Sequence, residues 1–147
     1  MREAPTMTTT VQPKSKFLTV NNLRLHHLDW GNEKAPPLVL VHGYTGNAHS
    51  FDPLALRLRD RFHVVATDVR GHGDSAWSPD GNYGYTDYAN DLDGVVAEMG
   101  LRRFVLVGTS MGDIIAMTYA GIHPEMLERL VINDIGPEQE PGSSRIT

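Results

Sequence analysis

A serine flanked by glycines is the residue of this chain best placed to do chemistry. Gly108, Ser110 and Gly112 form a G-x-S-x-G pattern between an apolar run at 104–107 and a helical stretch. A strand that turns sharply into a helix crowds its own backbone, and residues without a Cβ let the two elements approach while the serine hydroxyl points outward. The pattern therefore predicts that Ser110 is an exposed nucleophile.

Two more polar loops follow apolar runs. The segment His42-Gly43-Tyr44 comes after the run 38–41, and the segment 68–75, DVRGHGDS, comes after the run 63–67. Open α/β sheets bind their ligands at the carboxyl ends of their strands. We therefore expect these two loops to meet the Ser110 turn at one edge of a sheet.

Apolar runs alternate with helical patterns along the chain. Strands are predicted at 17–20, 23–28, 38–41, 63–67, 104–107 and 130–133. Helices are predicted from Asp52-Pro53, from a Thr86 cap to Gly100, and from Ser110 to a stop at Gly121 and Pro124.

These elements predict an α/β fold. Asn21-Asn22 is typical of a hairpin turn, so the first two strands form an antiparallel pair. The alternation that follows indicates a mainly parallel sheet with helices on both faces. We expect one core domain at 16–135, a disordered tail at 1–15 and a loop or disordered tail at 136–147.

Composition excludes several classes of function. The 147 residues carry a formal net charge of -5, which gives no electrostatic footprint for nucleic acid. The chain has no cysteine, which excludes disulfides and thiolate metal sites. No metal-ligand spacing or phosphate-binding loop is present, so no cofactor and no metal are expected. Residues 1–16 contain no apolar segment, which predicts a cytoplasmic protein without membrane partners.

The three loops together resemble the α/β-hydrolase fold superfamily, specifically its small esterase-like and carbon-carbon-bond hydrolases. The matching motifs are the H-G turn at His42, the D-x-R-G-x-G-x-S loop starting at Asp68, and the turn at Ser110. The resemblance implies a nucleophilic Ser110, with the backbone N–H groups of Tyr44 and Met111 as the oxyanion hole. In most members the triad acid comes one strand later, and Asp134 matches the earlier position that it has in some lipase-like members.

The sequence departs from the family pattern in two places. Asp113 stands where the family usually has a second glycine, so its side chain is expected to crowd the turn. The family's cap region and its C-terminal catalytic histidine have no counterpart in these 147 residues, so the chain resembles a truncated hydrolase core. Weak activity is expected unless another histidine supplies the base.

Two of the seven histidines are candidates for that base. In the family's strand order, the strand before His42 lies about 5 Å from the strand before Ser110, and the strand before His72 lies about 10 Å away. The alternative is that His42 clamps the oxyanion loop and His72 braces its own glycine turn. We take His72 as the candidate base and leave the alternative open. Arg70, Asp68 and Asp74 are expected to hold their loop together by hydrogen bonds.

Two functions follow from this sequence. The first is a serine hydrolase that cleaves small carboxylic esters through an acyl-enzyme on Ser110, as the resemblance implies. The second is a catalytically silent scaffold that serves as a binding or assembly module. In both, the strand at 130–133 is expected to form an open sheet edge, which predicts a homodimer or a higher homo-oligomer.

Overall fold

The computed structural model describes residues 11–133, which form one six-stranded sheet with three helices. The strands are β1 (Lys14–Val20), β2 (Leu23–Asp29), β3 (Pro37–Val41), β4 (His63–Thr67), β5 (Phe104–Thr109) and β6 (Leu127–Asn133). The helices are α1 (Asp52–Leu58), α2 (Tyr85–Met99) and α3 (Met111–Ile122). Short 3-10 turns precede α1 at Ala48–Phe51 and follow α3 at Pro124–Met126.

The strand order across the sheet is β1-β2-β4-β3-β5-β6. β1 pairs with β2 and β2 with β4 in antiparallel fashion, whereas β4, β3, β5 and β6 run parallel. The predicted α/β class is confirmed, and so is the antiparallel first pair. β3 lies between β4 and β5, so the loops after all three strands emerge at the same edge of the sheet.

The two faces of β3 belong to different halves of the core. Val39 and Val41 pack with buried residues of α2 and α3, including Tyr88 and Ile115. Leu38 and Leu40 point to the opposite face and pack with residues of the 3-10 turn and α1, such as Ala55. Because both faces are covered, the strand needs an unbroken apolar sequence, and this is why its position could be predicted.

Most predicted turns and helix ends are confirmed, and one predicted helix cap is wrong. Asn21 and Asn22 both have positive φ, and Gly100 ends α2 in the left-handed region at φ 72°. α2 begins at Tyr85, because the Asp87 carboxylate accepts the Gly84 N–H at 2.9 Å, so Thr86 is not its cap. α3 ends at Ile122, between Gly121 and Pro124, where its stop was predicted.

The strand boundaries also differ from the prediction at both ends of the sheet. β1 begins at Lys14, so residues 14 and 15 belong to the core and not to a tail, and β6 begins at Leu127. The tail predicted at 136–147 and the candidate acid Asp134 lie outside the described residues. Across residues 11–133, no helix is long and apolar enough to cross a membrane.

Candidate active site

Ser110 lies at the turn between β5 and α3. Its backbone has φ 58° and ψ -122°, a conformation that costs a residue with a Cβ about 1–3 kcal/mol. The carbonyl oxygen of Ser110 accepts the Asp113 N–H at 2.8 Å, which closes the first turn of α3. The side chain is exposed, as the G-x-S-x-G pattern predicts.

The two flanking glycines are required by close backbone contacts. A Cβ added to Gly108 would lie 2.3 Å from the Gly112 carbonyl oxygen, and one added to Gly112 would lie 2.1 Å from the Val41 carbonyl oxygen. Distances this short are steric overlaps with backbone atoms that cannot move aside. The glycines therefore let β5, α3 and the end of β3 meet within a few ångströms of Ser110.

The loop after β3 lies directly against Ser110. A Cβ on Gly43 would come within 2.7 Å of Ser110 Cβ and 3.2 Å of Ser110 Oγ. Tyr44, the next residue, is exposed, and Met111 is the first residue of α3, where a backbone N–H has no acceptor within its own helix. The first turn of a helix also favours negative charge.

His42 uses both of its ring nitrogens to hold this loop. Its Nδ1 donates to the Gly43 carbonyl oxygen at 2.7 Å, and its Nε2 accepts the Val69 N–H at 3.2 Å. The ring is fully buried, and this burial lowers the pKa of His42, so the ring is neutral. This arrangement supports the clamp alternative, because no free ring nitrogen of His42 faces Ser110.

His72 contacts the same loop from the other side. Its Nε2 lies 2.9 Å from the Tyr44 carbonyl oxygen, and its Nδ1 lies 3.1 Å from the Arg70 carbonyl oxygen. Carbonyl oxygens only accept, so a neutral ring donates to one of them and an imidazolium donates to both. To act as the base for Ser110, His72 would have to leave the Tyr44 carbonyl. Its assignment as the base stays a prediction.

The remaining five histidines are occupied elsewhere or lie away from the Ser110 turn. They are His26 against Asp68, His27 in the buried core of β2, His49 against Asp52, His63 against Asp29, and His123 beyond the end of α3. Within residues 11–133, the Ser110 hydroxyl makes no hydrogen bond to a histidine.

Two charged residues near the loops have structural partners. The Asp113 carboxylate is buried and its Oδ1 accepts the Asn133 N–H at 3.3 Å, which ties the first turn of α3 to the end of β6. Arg70 forms a buried two-point ion pair with Asp91, with Nε and Nη2 at 2.6 and 2.7 Å from the carboxylate oxygens. Asp113 therefore fills a space beside the turn, and Arg70 joins its loop to α2.

The sequence predicts that the loop after β3 meets the Ser110 turn, but not that Gly43 packs directly against Ser110 or that Asp113 is buried. Both depend on β3 and β6 flanking β5, a relationship between segments separated by tens of residues. The glycine in the H-G motif was the available signal for the first contact.

Residues 36–144 match the model of the α/β hydrolase fold family. The chain is 40% identical over 116 residues to an sn-1-specific diacylglycerol lipase of Mus musculus, covering 77% of this chain and 37% of the lipase. It is 34% identical over 122 residues to a 3-hydroxybutyrate-oligomer hydrolase of Cupriavidus necator, covering 82% of this chain and 42% of that enzyme.

Solved structures agree with this similarity. An α/β hydrolase from Novosphingobium aromaticivorans superimposes with a TM-score of 0.83 at 34% identity, over 92% of this chain and 49% of that protein. The chain thus spans about two fifths of the length of the curated relatives and about half of the matched structure.

Proposed function

The chain belongs to the α/β hydrolase fold family, and from that premise we propose that it carries the nucleophile of a serine hydrolase acting on small carboxylic esters. The observation that carries the proposal is the strained turn that exposes Ser110 while Gly43 brings the neighbouring loop against it. A strained backbone held in place by surrounding glycines is typical of a functional site.

In this proposal, Ser110 Oγ attacks the ester carbonyl and forms an acyl-enzyme. The Oγ–C bond forms first and gives a tetrahedral oxyanion, while the hydroxyl proton passes to the base. The ester C–O bond then breaks, the proton passes to the leaving alcohol, and water later releases the carboxylic acid in the same two steps. The N–H groups of Tyr44 and Met111 would stabilise the oxyanion, and each donor of this kind contributes about 3–4 kcal/mol to transition-state stabilisation. The reaction requires no cofactor.

The base that would accept the proton of Ser110 has two candidates. A serine hydroxyl needs an adjacent base to react at neutral pH. His72 is our candidate, and it would have to exchange its contact with the Tyr44 carbonyl for one with Ser110. His42 is the less suitable candidate, because both of its ring nitrogens are used within the buried loop.

The substrate class is supported by the relatives. Two of them are named for hydrolysis of diacylglycerol and of 3-hydroxybutyrate oligomers, and both substrates contain carboxylic ester bonds. A relative named as a 2-(acetamidomethylene)succinate hydrolase, 37% identical over 123 residues, represents a different bond type. Esters are therefore the first class of substrates to test.

The test is the pH dependence of p-nitrophenyl acetate hydrolysis. We expect a burst of p-nitrophenol in the unaltered protein. The part of the burst that comes from acylation of Ser110 should be lost in the Ser110→Ala variant. His72→Ala should remove the pH dependence of the acylation rate if His72 is the base, and His42→Ala serves as the comparison. A burst that survives unchanged in Ser110→Ala would reject the proposal and favour the silent scaffold.

A further inference from the structure

A second serine, Ser15, is linked by hydrogen bonds to a histidine and, through it, to an aspartate. It lies on the edge strand β1, four strands across the sheet from β5, which leads to Ser110. Ser15 Oγ is 2.5 Å from His26 Nε2, and His26 Nδ1 is 2.7 Å from Asp68 Oδ2. The three residues come from β1, β2 and the end of β4, which are neighbours in the sheet. Phe17 is the direct partner of His26, and Ser15 lies two residues along β1 on the same face.

The hydrogen bonds around Asp68 determine which ring nitrogen of His26 donates and which one accepts. Its Oδ1 accepts the Ala48 N–H at 2.7 Å, and its Oδ2 accepts the Asp74 N–H at 2.9 Å as well as His26. An ionised carboxylate only accepts, so His26 Nδ1 carries a proton. In the neutral ring, Nε2 is then an acceptor, and the Ser15 hydroxyl donates to it.

The three side chains differ in their exposure to solvent. His26 is 2% exposed and Asp68 is 4% exposed, whereas Ser15 is exposed on the edge strand β1. A Cβ on Gly73 would overlap the Asp68 carboxylate at 2.2 Å, so this loop can wrap the carboxylate only because residue 73 is glycine. The histidine and its anchor are thus shielded from water while the hydroxyl is accessible to a reagent.

We propose that Ser15 is a second base-activated hydroxyl, which accepts acyl and phosphonyl groups from activated esters and fluorophosphonates. With a fluorophosphonate, the Oγ–P bond forms as the P–F bond breaks, fluoride leaves, and the hydroxyl proton passes to His26 Nε2. Four strand spacings separate β1 from β5, so Ser15 lies about 19 Å across the sheet from the strand that leads to Ser110.

Labelling in the Ser110→Ala background tests this site separately from the proposed function. A fluorophosphonate should label Ser15, identified by peptide mass spectrometry, and leave Ser50 unlabelled. Ser50 is the matched control because it is exposed and its Oγ accepts the Asn47 N–H instead of contacting a histidine. His26→Gln should slow the labelling of Ser15 at least about tenfold. Folded Ser110→Ala protein in which Ser15 reacts no faster than Ser50 would overturn the proposal.

A cysteine probe gives the same test without altering the buried histidine. The chain has no cysteine, so Ser15→Cys and Thr19→Cys each carry a single thiol on β1. A thiol beside an imidazole ionises more readily than a free thiol. We expect iodoacetamide to alkylate Ser15→Cys at pH 6.5 at least about tenfold faster than Thr19→Cys, with the difference shrinking by pH 9.5.

The Thr19→Cys control is a stringent one, because a cation lies beside position 19. Thr19 is the direct partner of Arg24, whose positive charge also favours a thiolate, so the control includes the effect of a nearby cation. Equal alkylation rates for the two variants at pH 6.5 would show that His26 does not activate the group at position 15.

Discussion

Gly43 and Ser110 are packed so closely that a Cβ on the glycine would lie 2.7 Å from Ser110 Cβ and 3.2 Å from Ser110 Oγ. The loop that carries Tyr44 therefore reaches the serine only because residue 43 has no side chain. Two hydrogen bonds hold the Gly43 carbonyl group in place. Its oxygen accepts from His42 Nδ1 at 2.7 Å and from the Gly46 N–H at 3.0 Å.

Gly43→Ala should lower the rate of Ser110 acylation by about 10- to 100-fold, because the added methyl displaces the loop from the serine. The rate of the p-nitrophenyl acetate burst measures this effect. Gly121→Ala is the matched control, since a Cβ at position 121 meets no atom within 4 Å. The control should keep the full rate and gain up to about 1 kcal/mol in free energy of unfolding. An unchanged burst in Gly43→Ala would contradict the account.

Ser110→Gly should be more stable than Ser110→Ala by about 1 kcal/mol, because glycine adopts a backbone with φ 58° at little cost and alanine does not. Urea denaturation of the two variants gives the difference in free energy of unfolding. Neither variant carries a hydroxyl at position 110, so the comparison isolates the backbone strain. A Ser110→Ala variant as stable as Ser110→Gly would mean that the turn stores no strain.

Acidification should destabilise the fold through buried histidines. Burial lowers the pKa of His27 from its ordinary value of 6.5 to about 4, so the unfolded chain binds a proton that the folded chain excludes. This stabilisation is fully present above pH 6.5 and is lost as the pH falls towards 4. Between pH 7.5 and pH 5 the loss from His27 is about 2 kcal/mol, and His42 acts with the same sign.

Urea denaturation at the two pH values measures this loss. His27→Gln should reduce it, whereas His49→Gln, which changes an exposed histidine, should not. A protein whose free energy of unfolding is the same at pH 5 and pH 7.5 would contradict the assignment of a neutral, buried His27.

Self-association through β6 is the remaining prediction for the assembly state. In the described residues β6 is the last strand of the sheet, and its Val131 is 42% exposed in a groove that includes Leu54 and Leu58. We expect a homodimer or larger assembly by size-exclusion chromatography with light scattering at micromolar concentration. Val131→Lys should shift it to monomer, and Leu56→Lys, which alters an exposed residue of α1, should not. A stable monomer of the unaltered chain would refute the prediction.

The strand pattern and the Ser110 turn could be predicted because each is encoded within a few neighbouring residues. Val39, Val41, Leu38 and Leu40 alternate between two covered faces, and such strands need continuous apolar sequence. The Asn21-Asn22 turn could also be predicted, because it depends only on two neighbouring residues that tolerate positive φ.

The long-range contacts of the histidines around both sites could not be predicted in this way. His72 meets the Tyr44 carbonyl across 28 residues, and His26 meets Ser15 and Asp68 across 11 and 42 residues. These contacts depend on strand order and on the path of the loop after β4. A list of histidines in the sequence shows neither, which is why only His42 and His72 are candidate bases there.

Labelling by a fluorophosphonate, followed by peptide mapping, shows whether Ser110 is an activated nucleophile. We expect the probe to label Ser110 in the folded protein and to leave it unlabelled after denaturation. An unmodified Ser110 peptide from folded protein, whatever happens at Ser15, would mean that Ser110 is not activated.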